Sequence, residues 1–215
     1  MIYYHYSGVL HYLYKNLISQ TKITYKMKRT FIATKISPGE KLLKTYTKLR
    51  NELKNEKIKW VNSDQFHITL FFLGDTDEEM IPRVRTQVGN LIDQFSSFYI
   101  NLSGLGVFKN IHKPRVLWAG IYQYEPMKEI KERIEKEMVA LGFPADEREF
   151  RPHLTLARIK WLDDKENLKG LLGDYKDEDF QQVKINEIIY YESILKPTGA
   201  EYKPIEKFIL PDSSA

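Results

Sequence analysis

Two stretches of this 215-residue chain have nearly the same sequence, and each places a threonine two positions after a histidine. They are His67-Ile68-Thr69-Leu70 and His153-Leu154-Thr155-Leu156. Each lies in a short apolar run of the kind that forms a buried β-strand. Because side chains alternate along a strand, the histidine and the threonine share one face, roughly 6–7 Å apart, while the aliphatic residues face a core. Each strand therefore presents an imidazole beside a hydroxyl.

Two imidazoles that face one cleft are suited to acid–base catalysis at phosphorus. An ordinary histidine has a pKa of about 6.5, so one ring can be neutral and the other protonated near neutral pH. The neutral ring removes a proton from a nucleophile, and the protonated ring donates one to the departing oxygen. The hydroxyls of Thr69 and Thr155 can stabilise the non-bridging oxygens, which gain charge in the transition state. We therefore predict in-line attack on a phosphodiester, for which a five-membered cyclic phosphate is well suited. The residues alone do not distinguish the acid from the base.

Other chemistries are disfavoured by what the sequence lacks. Without cysteine, the chain has no disulfide scaffold, no thiolate zinc site and no cysteine nucleophile. Its 5 histidines do not form a cluster with the spacing of metal ligands, so we expect no metal and no cofactor. The P-loop, the dinucleotide-binding Gly-x-Gly-x-x-Gly motif and the Gly-x-Ser-x-Gly nucleophile elbow are also missing.

The composition is that of an ordered globular protein, with 42% hydrophobic and 29% charged residues. A formal net charge of +4 is compatible with a phosphate-bearing partner. No apolar stretch approaches the ~20 residues that span a bilayer, so we expect no membrane association. We also expect a monomer and a cytoplasmic location. Residues 1–26 lack the features of a signal peptide and are predicted to be an extension. A single domain over residues 27–210 and a tail over 211–215 would follow.

The hydrophobic pattern predicts a repeated alternation of strands and helices. The predicted strands cover residues 30–36, 58–61, 66–73, 98–102, 115–121, 153–159, 183–193 and 201–210. The predicted helices cover about 37–54, 75–95, 126–141 and 163–172, and residues 103–106 are predicted to be a loop. The order of elements recurs, and no flexible linker divides the two copies. We therefore predict an α+β fold in which two lobes with mostly antiparallel sheets face each other across a central cleft, with helices outside.

Longer segments around the two motifs make the sequence similar to the 2H phosphoesterase superfamily. It most closely resembles the branch of RNA 2′,3′-cyclic phosphodiesterases, also called LigT-like 2′-5′ RNA ligases. The segments that carry the resemblance are His67-Ile68-Thr69-Leu70-Phe71-Phe72-Leu73-Gly74, Arg151-Pro152-His153-Leu154-Thr155-Leu156-Ala157-Arg158, Pro114-Arg115-Val116-Leu117-Trp118-Ala119-Gly120, and Tyr191-Glu192-Ser193 with Leu195, Pro197, Gly199 and Tyr202. The resemblance runs from about Met27 to Leu210, with no departure at the histidine or threonine positions.

This resemblance implies a bilobal, pseudo-twofold fold and hydrolysis of the terminal 2′,3′-cyclic phosphate of RNA to a 2′-phosphate without a metal. It also implies that His67 is the proton donor to the leaving 3′-oxygen and that His153 is the proton acceptor that activates water. The expected partners are RNA 3′ ends or nucleotide cyclic phosphates, and the reaction could run in reverse as 2′-5′ RNA ligation. Two alternatives stay open. One is a phosphodiesterase for 2′-5′ oligonucleotides or small cyclic phosphates, and the other is an RNA-binding module without turnover.

Several further residues are candidates for contacts with the substrate. Arg151 is predicted to bind the phosphate. Arg158 lies five residues beyond His153, which puts it on the opposite face of a regular strand; a bulge would change this. A basic loop is a candidate track for an RNA backbone, and consists of Lys109, His112, Lys113 and Arg115. Three aromatic residues are candidates for base stacking: Phe66, Phe108 and Trp118.

Overall fold

The computed structural model describes residues 26–197 and 199–212, which form nine strands and four α-helices. The strands are β1 (Met27–Lys35), β2 (Lys57–Trp60), β3 (His67–Asp77), β4 (Phe98–Phe108), β5 (Val116–Tyr122), β6 (His153–Trp161), β7 (Asp179–Ile185), β8 (Glu187–Lys196) and β9 (Gly199–Ile209). The helices are α1 (Glu40–Glu52), α2 (Ile81–Ile92), α3 (Glu125–Ala140) and α4 (Lys165–Asp174). Except for Lys26, the predicted N-terminal extension lies outside the described residues.

The strands form two antiparallel sheets, here called sheet 1 and sheet 2. Sheet 1 has the strand order β3-β1-β8-β9, and sheet 2 has the order β2-β6-β5-β4-β7. Strand β3, at the edge of sheet 1, contacts β6 of sheet 2. The two sheets therefore meet along the strands that carry the two histidine motifs. The predicted α+β class with two antiparallel sheets is confirmed.

The helices cover the faces of the sheets that point away from the cleft. Helix α2 contacts β9 and α3 contacts β3, so both lie on sheet 1, whereas α1 contacts β7 and α4 contacts β4, so both lie on sheet 2. Their apolar stripes join one core that extends through both sheets. A separate, smaller cluster lies on the cleft side of sheet 1 and consists of Phe31, Ala33, Ile189 and Tyr191, with Tyr202 packed against it.

The two lobes are not consecutive halves of the chain. Strand β2 comes early in the sequence but joins sheet 2, and the last two strands, β8 and β9, complete sheet 1. The chain changes sheets at Asn186, so residues 183–193, predicted as one strand, belong to two. Because each sheet needs strands from both ends of the sequence, the two lobes must form together.

Residues 103–106, which the sequence predicted to be a loop, lie inside β4. The prediction was wrong because Gly104, with a φ of 69°, is the extra residue of a bulge opposite β5. A glycine adopts this left-handed conformation at little cost, so the ladder continues on both sides of it. The glycines here bend a strand and do not end it.

The predicted helix start at residue 75 is also wrong, because β3 continues to Asp77. The side chain of Asp77 accepts a hydrogen bond of 3.1 Å from the backbone N–H of Glu79 and opens a short 3₁₀ turn. Helix α2 begins only at Ile81, with Pro82 in its first turn. The acidic residues that suggested a helix start therefore cap the turn before the helix.

Gly106 of β4 and Trp118 of β5 face each other across the ladder, and the indole ring lies against the glycine. A methyl group at Gly106 would overlap this ring. We expect Gly106→Ala to lower the free energy of unfolding by about 1–3 kcal/mol, as overpacking does. Urea denaturation of the variant would measure it.

Gly170, in α4, provides the matched control, because a methyl group there meets no atom within 4 Å. Gly170→Ala should raise stability by up to about 1 kcal/mol through helix propensity. A Gly106→Ala protein as stable as the parent would show that the indole does not rest on this glycine.

Candidate active site

Strand β3 bulges directly after the threonine of the first motif. Thr69 lies opposite Ala33 of β1, and Phe71 lies opposite Ile32, which leaves Leu70 as the extra residue. Both Leu70 and Phe71 are buried, at 3% and 2% exposure. Two consecutive side chains therefore enter the core where a regular strand would bury only one.

Strand β6 bulges at the equivalent position of the second motif. Thr155 lies opposite Trp118 of β5, and Ala157 lies opposite Leu117, which leaves Leu156 as the extra residue. Leu156 and Ala157 are again both fully buried. The two strands therefore repeat the same backbone irregularity as well as the same motif.

Each bulge brings the fifth residue after the histidine to the face of the histidine. This residue is Phe72 in β3 and Arg158 in β6, and both side chains are exposed while their neighbours in the strand are buried. The position of Arg158 thus differs from that expected for a regular strand. The bulge places its guanidinium on the same side as the imidazole and the threonine hydroxyl.

The two histidines are held in the same tautomer by the same local contact. Nδ1 of His67 lies 2.8 Å from the carbonyl oxygen of Gln65, and Nδ1 of His153 lies 2.8 Å from that of Arg151. A carbonyl oxygen only accepts hydrogen bonds, so Nδ1 carries the proton in both rings. Nε2 is then available for proton transfer, with a lone pair in the neutral ring and a proton in the charged ring.

Burial is the main cause that lowers the pKa of both histidines below the ordinary value of 6.5. The bonds to the carbonyls of Gln65 and Arg151 oppose this effect, because they stabilise the protonated rings. The positive charge of Arg158 lowers the pKa of both His67 and His153 further, and the charge of His153 also acts on His67. The charge of one guanidinium therefore acts on both imidazoles, which come from different sheets.

The two motif threonines lie beside the histidines, as the sequence predicted from strand alternation. Thr69 is exposed and Thr155 is half-buried, each on the histidine's face of its strand. Their partners on the neighbouring strands differ in size, with Ala33 opposite Thr69 and Trp118 opposite Thr155. The pseudo-twofold arrangement thus repeats the hydroxyls, while the surroundings of each half are different.

Aromatic rings line both sides of the cleft. On sheet 1, the ring of Tyr202 stands edge-on to His67 with centroids 4.8 Å apart, and Phe31 lies 5.3 Å from the same imidazole. On sheet 2, Phe108 stands edge-on to His153 at 4.6 Å and lies 5.5 Å from Trp118. These contacts hold the imidazoles in place and exclude water from one side of each ring.

The three aromatic residues considered for base stacking have different positions. Phe66 is fully buried and packs edge-on against Tyr46, so it cannot stack on a base. Phe108 and Trp118 are both half-buried beside the second motif. Phe72, which the sequence pattern did not single out, is 42% exposed on the cleft side, with the guanidinium of Arg29 4.8 Å from its ring centroid.

Arg151, predicted to bind the phosphate, has its side chain directed to a carboxylate. Its Nε and Nη2 donate hydrogen bonds of 2.9 and 2.7 Å to Glu149, and the side chain is 70% exposed. Neither histidine pKa responds to its guanidinium, although its carbonyl holds His153. Of the two arginines, Arg158 is the one whose charge acts on the two histidines.

Two further features border the site. A pocket of about 190 Å³ lies beside His67 on the cleft side of sheet 1, and its lining includes Lys35, Asp64, Tyr191, Tyr202 and Lys207. A larger hollow of about 460 Å³ lies between α2 and β9, away from the histidines. Within residues 26–197 and 199–212, no three side chains of metal-binding type lie close enough to share an ion. None of the helices in the described part of the chain is long and apolar enough to cross a membrane.

Comparison with known proteins assigns this arrangement to a family. The sequence model described as LigT like Phosphoesterase matches residues 35–118 and 123–202. The chain belongs to the LigT-like phosphoesterase family. The resemblance seen in the two motifs is thereby confirmed.

Curated relatives match this chain along most of their own length. The RNA 2′,3′-cyclic phosphodiesterase of Methanocaldococcus jannaschii is 35% identical over 180 residues, which cover 84% of this chain and 99% of that protein. The RNA 2′,3′-cyclic phosphodiesterase of Thermotoga maritima is 33% identical over 180 residues, which cover 81% of this chain and 91% of that protein.

Two solved structures share the fold of this chain. The protein TT0787 of Thermus thermophilus superposes with a TM-score of 0.70 at 25% identity, and the match covers 86% of this chain and all of that one. Escherichia coli LigT complexed with 3′-AMP gives a TM-score of 0.67 at 19% identity over 86% of this chain and 99% of its own. At this level of identity, the likeness to LigT concerns the fold alone.

The bulge in this LigT-like chain has a signal in the sequence. In the second motif, after the alternation of histidine, aliphatic residue and threonine, two apolar residues, Leu156-Ala157, follow in direct succession before the charged Arg158. The first motif does not show this step in its sequence, because residues 70–73 are all apolar. A regular strand of this kind would alternate. The doubled apolar step indicates an extra residue and with it the face of Arg158.

Since the charge of Arg158 disfavours protonation of both rings, Arg158→Gln should raise the pKa of His67 and of His153. Titration of the imidazole Hε1 resonances by NMR in the free protein would measure both values, with assignments from His67→Ala and His153→Ala. Arg151→Gln is the matched control and should leave both titrations unchanged. Equal shifts in the two variants, or none in Arg158→Gln, would place Arg158 outside the site.

Proposed function

We propose that this phosphoesterase hydrolyses the 2′,3′-cyclic phosphate at the 3′ end of RNA to a 2′-phosphate by two-histidine acid–base catalysis. The observation that carries the proposal is the pair of imidazoles with Nδ1 bonded to a backbone carbonyl and Nε2 left for the substrate. The names of the curated relatives, RNA 2′,3′-cyclic phosphodiesterase, support the choice of substrate. The reaction needs no metal, because the two rings supply both proton transfers.

The proposed reaction is a single in-line displacement at phosphorus. The neutral ring of His153 takes a proton from water at Nε2 as the water oxygen forms a bond to phosphorus. The bond from phosphorus to the ribose 3′-oxygen breaks on the opposite side, and this oxygen receives the Nε2 proton of His67. The products are a 2′-phosphate and a 3′-hydroxyl, and solvent restores the starting protonation states. This assignment of acid and base follows the family resemblance.

Hydrogen-bond donors beside the histidines would stabilise the transition state. We propose that the hydroxyls of Thr69 and Thr155 donate to the two non-bridging oxygens, each from the same strand as its histidine. Arg158, whose charge acts on both rings, would neutralise the phosphate. Arg151 would reach the phosphate only by leaving Glu149.

The same groups could join RNA ends in the same roles, and they could cleave a 2′-5′ linkage, the reverse of joining, with their roles exchanged. A ribose 5′-hydroxyl in place of water, attacking the cyclic phosphate, would give a 2′-5′ linkage and would make the protein a ligase under conditions that favour joining. Cyclic mononucleotides and 2′-5′ oligonucleotides present the same phosphorus to the same rings. A substrate panel ranked by kcat/KM would order these activities.

The direct test is to incubate the protein with an oligoribonucleotide that ends in a 2′,3′-cyclic phosphate, in the presence of EDTA. We expect a 2′-phosphate product, and we expect His67→Ala and His153→Ala each to reduce kcat by about 10³-fold or more. Replacing a hydroxyl, in Thr155→Val, should cost about 10²-fold.

Conservative variants keep this test specific. Thr155→Ser retains a hydroxyl and should keep most of the activity that Thr155→Val loses. His112→Ala removes an exposed histidine from the loop before β5 and should be fully active. Full activity of His67→Ala, or activity that disappears with EDTA, would refute the two-histidine mechanism.

The assignment of acid and base is tested with a substrate in which sulfur replaces the 3′-bridging oxygen. A thiolate leaves without prior protonation, so the proton donor becomes dispensable. If His67 is the donor, His67→Ala should regain most of its lost rate on this substrate, while His153→Ala should remain as impaired as on the oxygen substrate. Rescue of His153→Ala alone would reverse the two roles.

A further inference from the structure

A strip of basic side chains leads from the phosphate site along the outer part of sheet 2. Arg158 lies directly opposite Lys59 of β2, so the two side chains share one face. Lys160 is two residues beyond Arg158 and is exposed on that face. Arg115, before β5, donates from Nη1 to the carbonyl oxygen of Lys160 at 3.4 Å. We call Lys59, Arg115, Arg158 and Lys160 the basic strip.

The charges of the basic strip have no ionic partners among the residues that the structure describes. In the described ranges, 26–197 and 199–212, none of the four residues forms an ion pair, whereas exposed lysines on the helices, such as Lys44 and Lys128, pair with glutamates four residues away. Like charges held side by side on rigid strands repel one another. Such an arrangement is suited to a polyanion that neutralises several of them together.

The strip is continuous with the catalytic face of β6. After the bulge, Thr155, Arg158 and Lys160 follow one another on that face, and the distance from Thr155 to Lys160 is about 15 Å at the usual rise of a strand. The ammonium of Lys59 reaches the end of the β8–β9 hairpin at Gly199, so it lies where the two lobes meet. A bound polymer that extends from the phosphate site in this direction would pass over all of these charges.

Two other directions out of the cleft, toward the pocket beside His67 and toward the far end of β3, are less basic. In the pocket beside His67, Asp64 accompanies Lys35, and Lys207 is bonded to Glu187 at 3.4 Å. At the opposite end of β3, Asp75 lies directly across from Arg29. The strip itself ends at Trp161, whose indole N–H donates to Asp163 at 2.6 Å. Among these three directions, the one from the histidines to Trp161 has the largest number of cations that form no ion pair with another described residue.

We propose that the basic strip binds the backbone phosphates of single-stranded RNA on the 5′ side of the terminal nucleotide, so that the enzyme is built for polymeric rather than mononucleotide substrates. This inference rests on the proposed function. The 2′,3′-cyclic phosphate is at the 3′ end of the RNA, so all other nucleotides of the substrate lie on its 5′ side. Lysines and arginines on the strip contact phosphates without reading bases. The binding is therefore independent of sequence and sensitive to salt.

The experiment compares a 2′,3′-cyclic mononucleotide with oligoribonucleotides of two to six residues that end in the same group. For the parent enzyme, kcat/KM should rise with length up to about four nucleotides and should fall more steeply with salt for the longer substrates. The double variant Lys59→Gln/Lys160→Gln should lose about tenfold in kcat/KM on the hexanucleotide and keep its rate on the mononucleotide. Its salt slope on the hexanucleotide should be shallower by about 1.4, at about 0.7 per lost contact with a single strand.

The control is Lys44→Gln/Lys128→Gln, which changes the net charge by the same amount on helices away from the cleft. It should behave as the parent enzyme on every substrate. A rate that does not depend on length, or equal losses in the two double variants, would overturn the assignment of the strip. Absence of turnover on all substrates would instead refute the proposed function. In that event, fluorescence anisotropy with an oligoribonucleotide ending in a 3′-phosphate still tests the strip, because only the Lys59→Gln/Lys160→Gln variant should bind more weakly.

Discussion

The bulge after each motif threonine is the constraint on which the rest of the site depends. It leaves one ladder position unpaired, at a net cost of about 1 kcal/mol for a lost hydrogen bond. In return, it buries two successive apolar side chains, Leu70 with Phe71 and Leu156 with Ala157. Burial of a large apolar side chain contributes about 1.5–3 kcal/mol, so the core stabilises the irregular strand. The functional consequence is the exposed position that follows, where Arg158 joins His153 and Thr155 on one face.

The electrostatics of the cleft oppose protonation of the free protein. Burial, the charge of Arg158 and the charge of His153 all lower the pKa of His67, and only the carbonyl of Gln65 raises it. Acid–base catalysis nevertheless needs one protonated ring. An anionic phosphate between the rings would supply the missing negative charge, because an opposite charge at close range favours the protonated imidazole. Substrate binding would thereby prepare the catalytic protonation state.

The crossed path of the chain explains how two short strands can hold such a geometry. Strand β3 depends on β1 and, through it, on β8 and β9 from the other end of the sequence. Strand β6 lies between β2, from the first part of the chain, and β5. Each strand that carries a histidine motif is thus fixed by segments distant in sequence, and the continuous core beneath both sheets restricts the relative movement of the two strands. A cleft formed in this way needs no separate interface to align its two halves.

The sequence by itself determined the local chemistry. The alternation in each motif placed an imidazole beside a hydroxyl, the doubled motif pointed to two converging strands, and the pattern of strands and helices gave the α+β class. These features depend on residues that are close together in the chain, because the periodicity of a strand or helix decides which of its side chains share a face. The tertiary structure alone decided that β8 and β9 complete the sheet of β3. It also decided that the carbonyls of Gln65 and Arg151 hold the two imidazoles. Finally, it decided that the charge of Arg158 acts on both imidazoles, while the side chain of Arg151 pairs with Glu149. The exchange of strands between sheets depends on which distant side chains compete for one core, and no local pattern records the outcome of that competition.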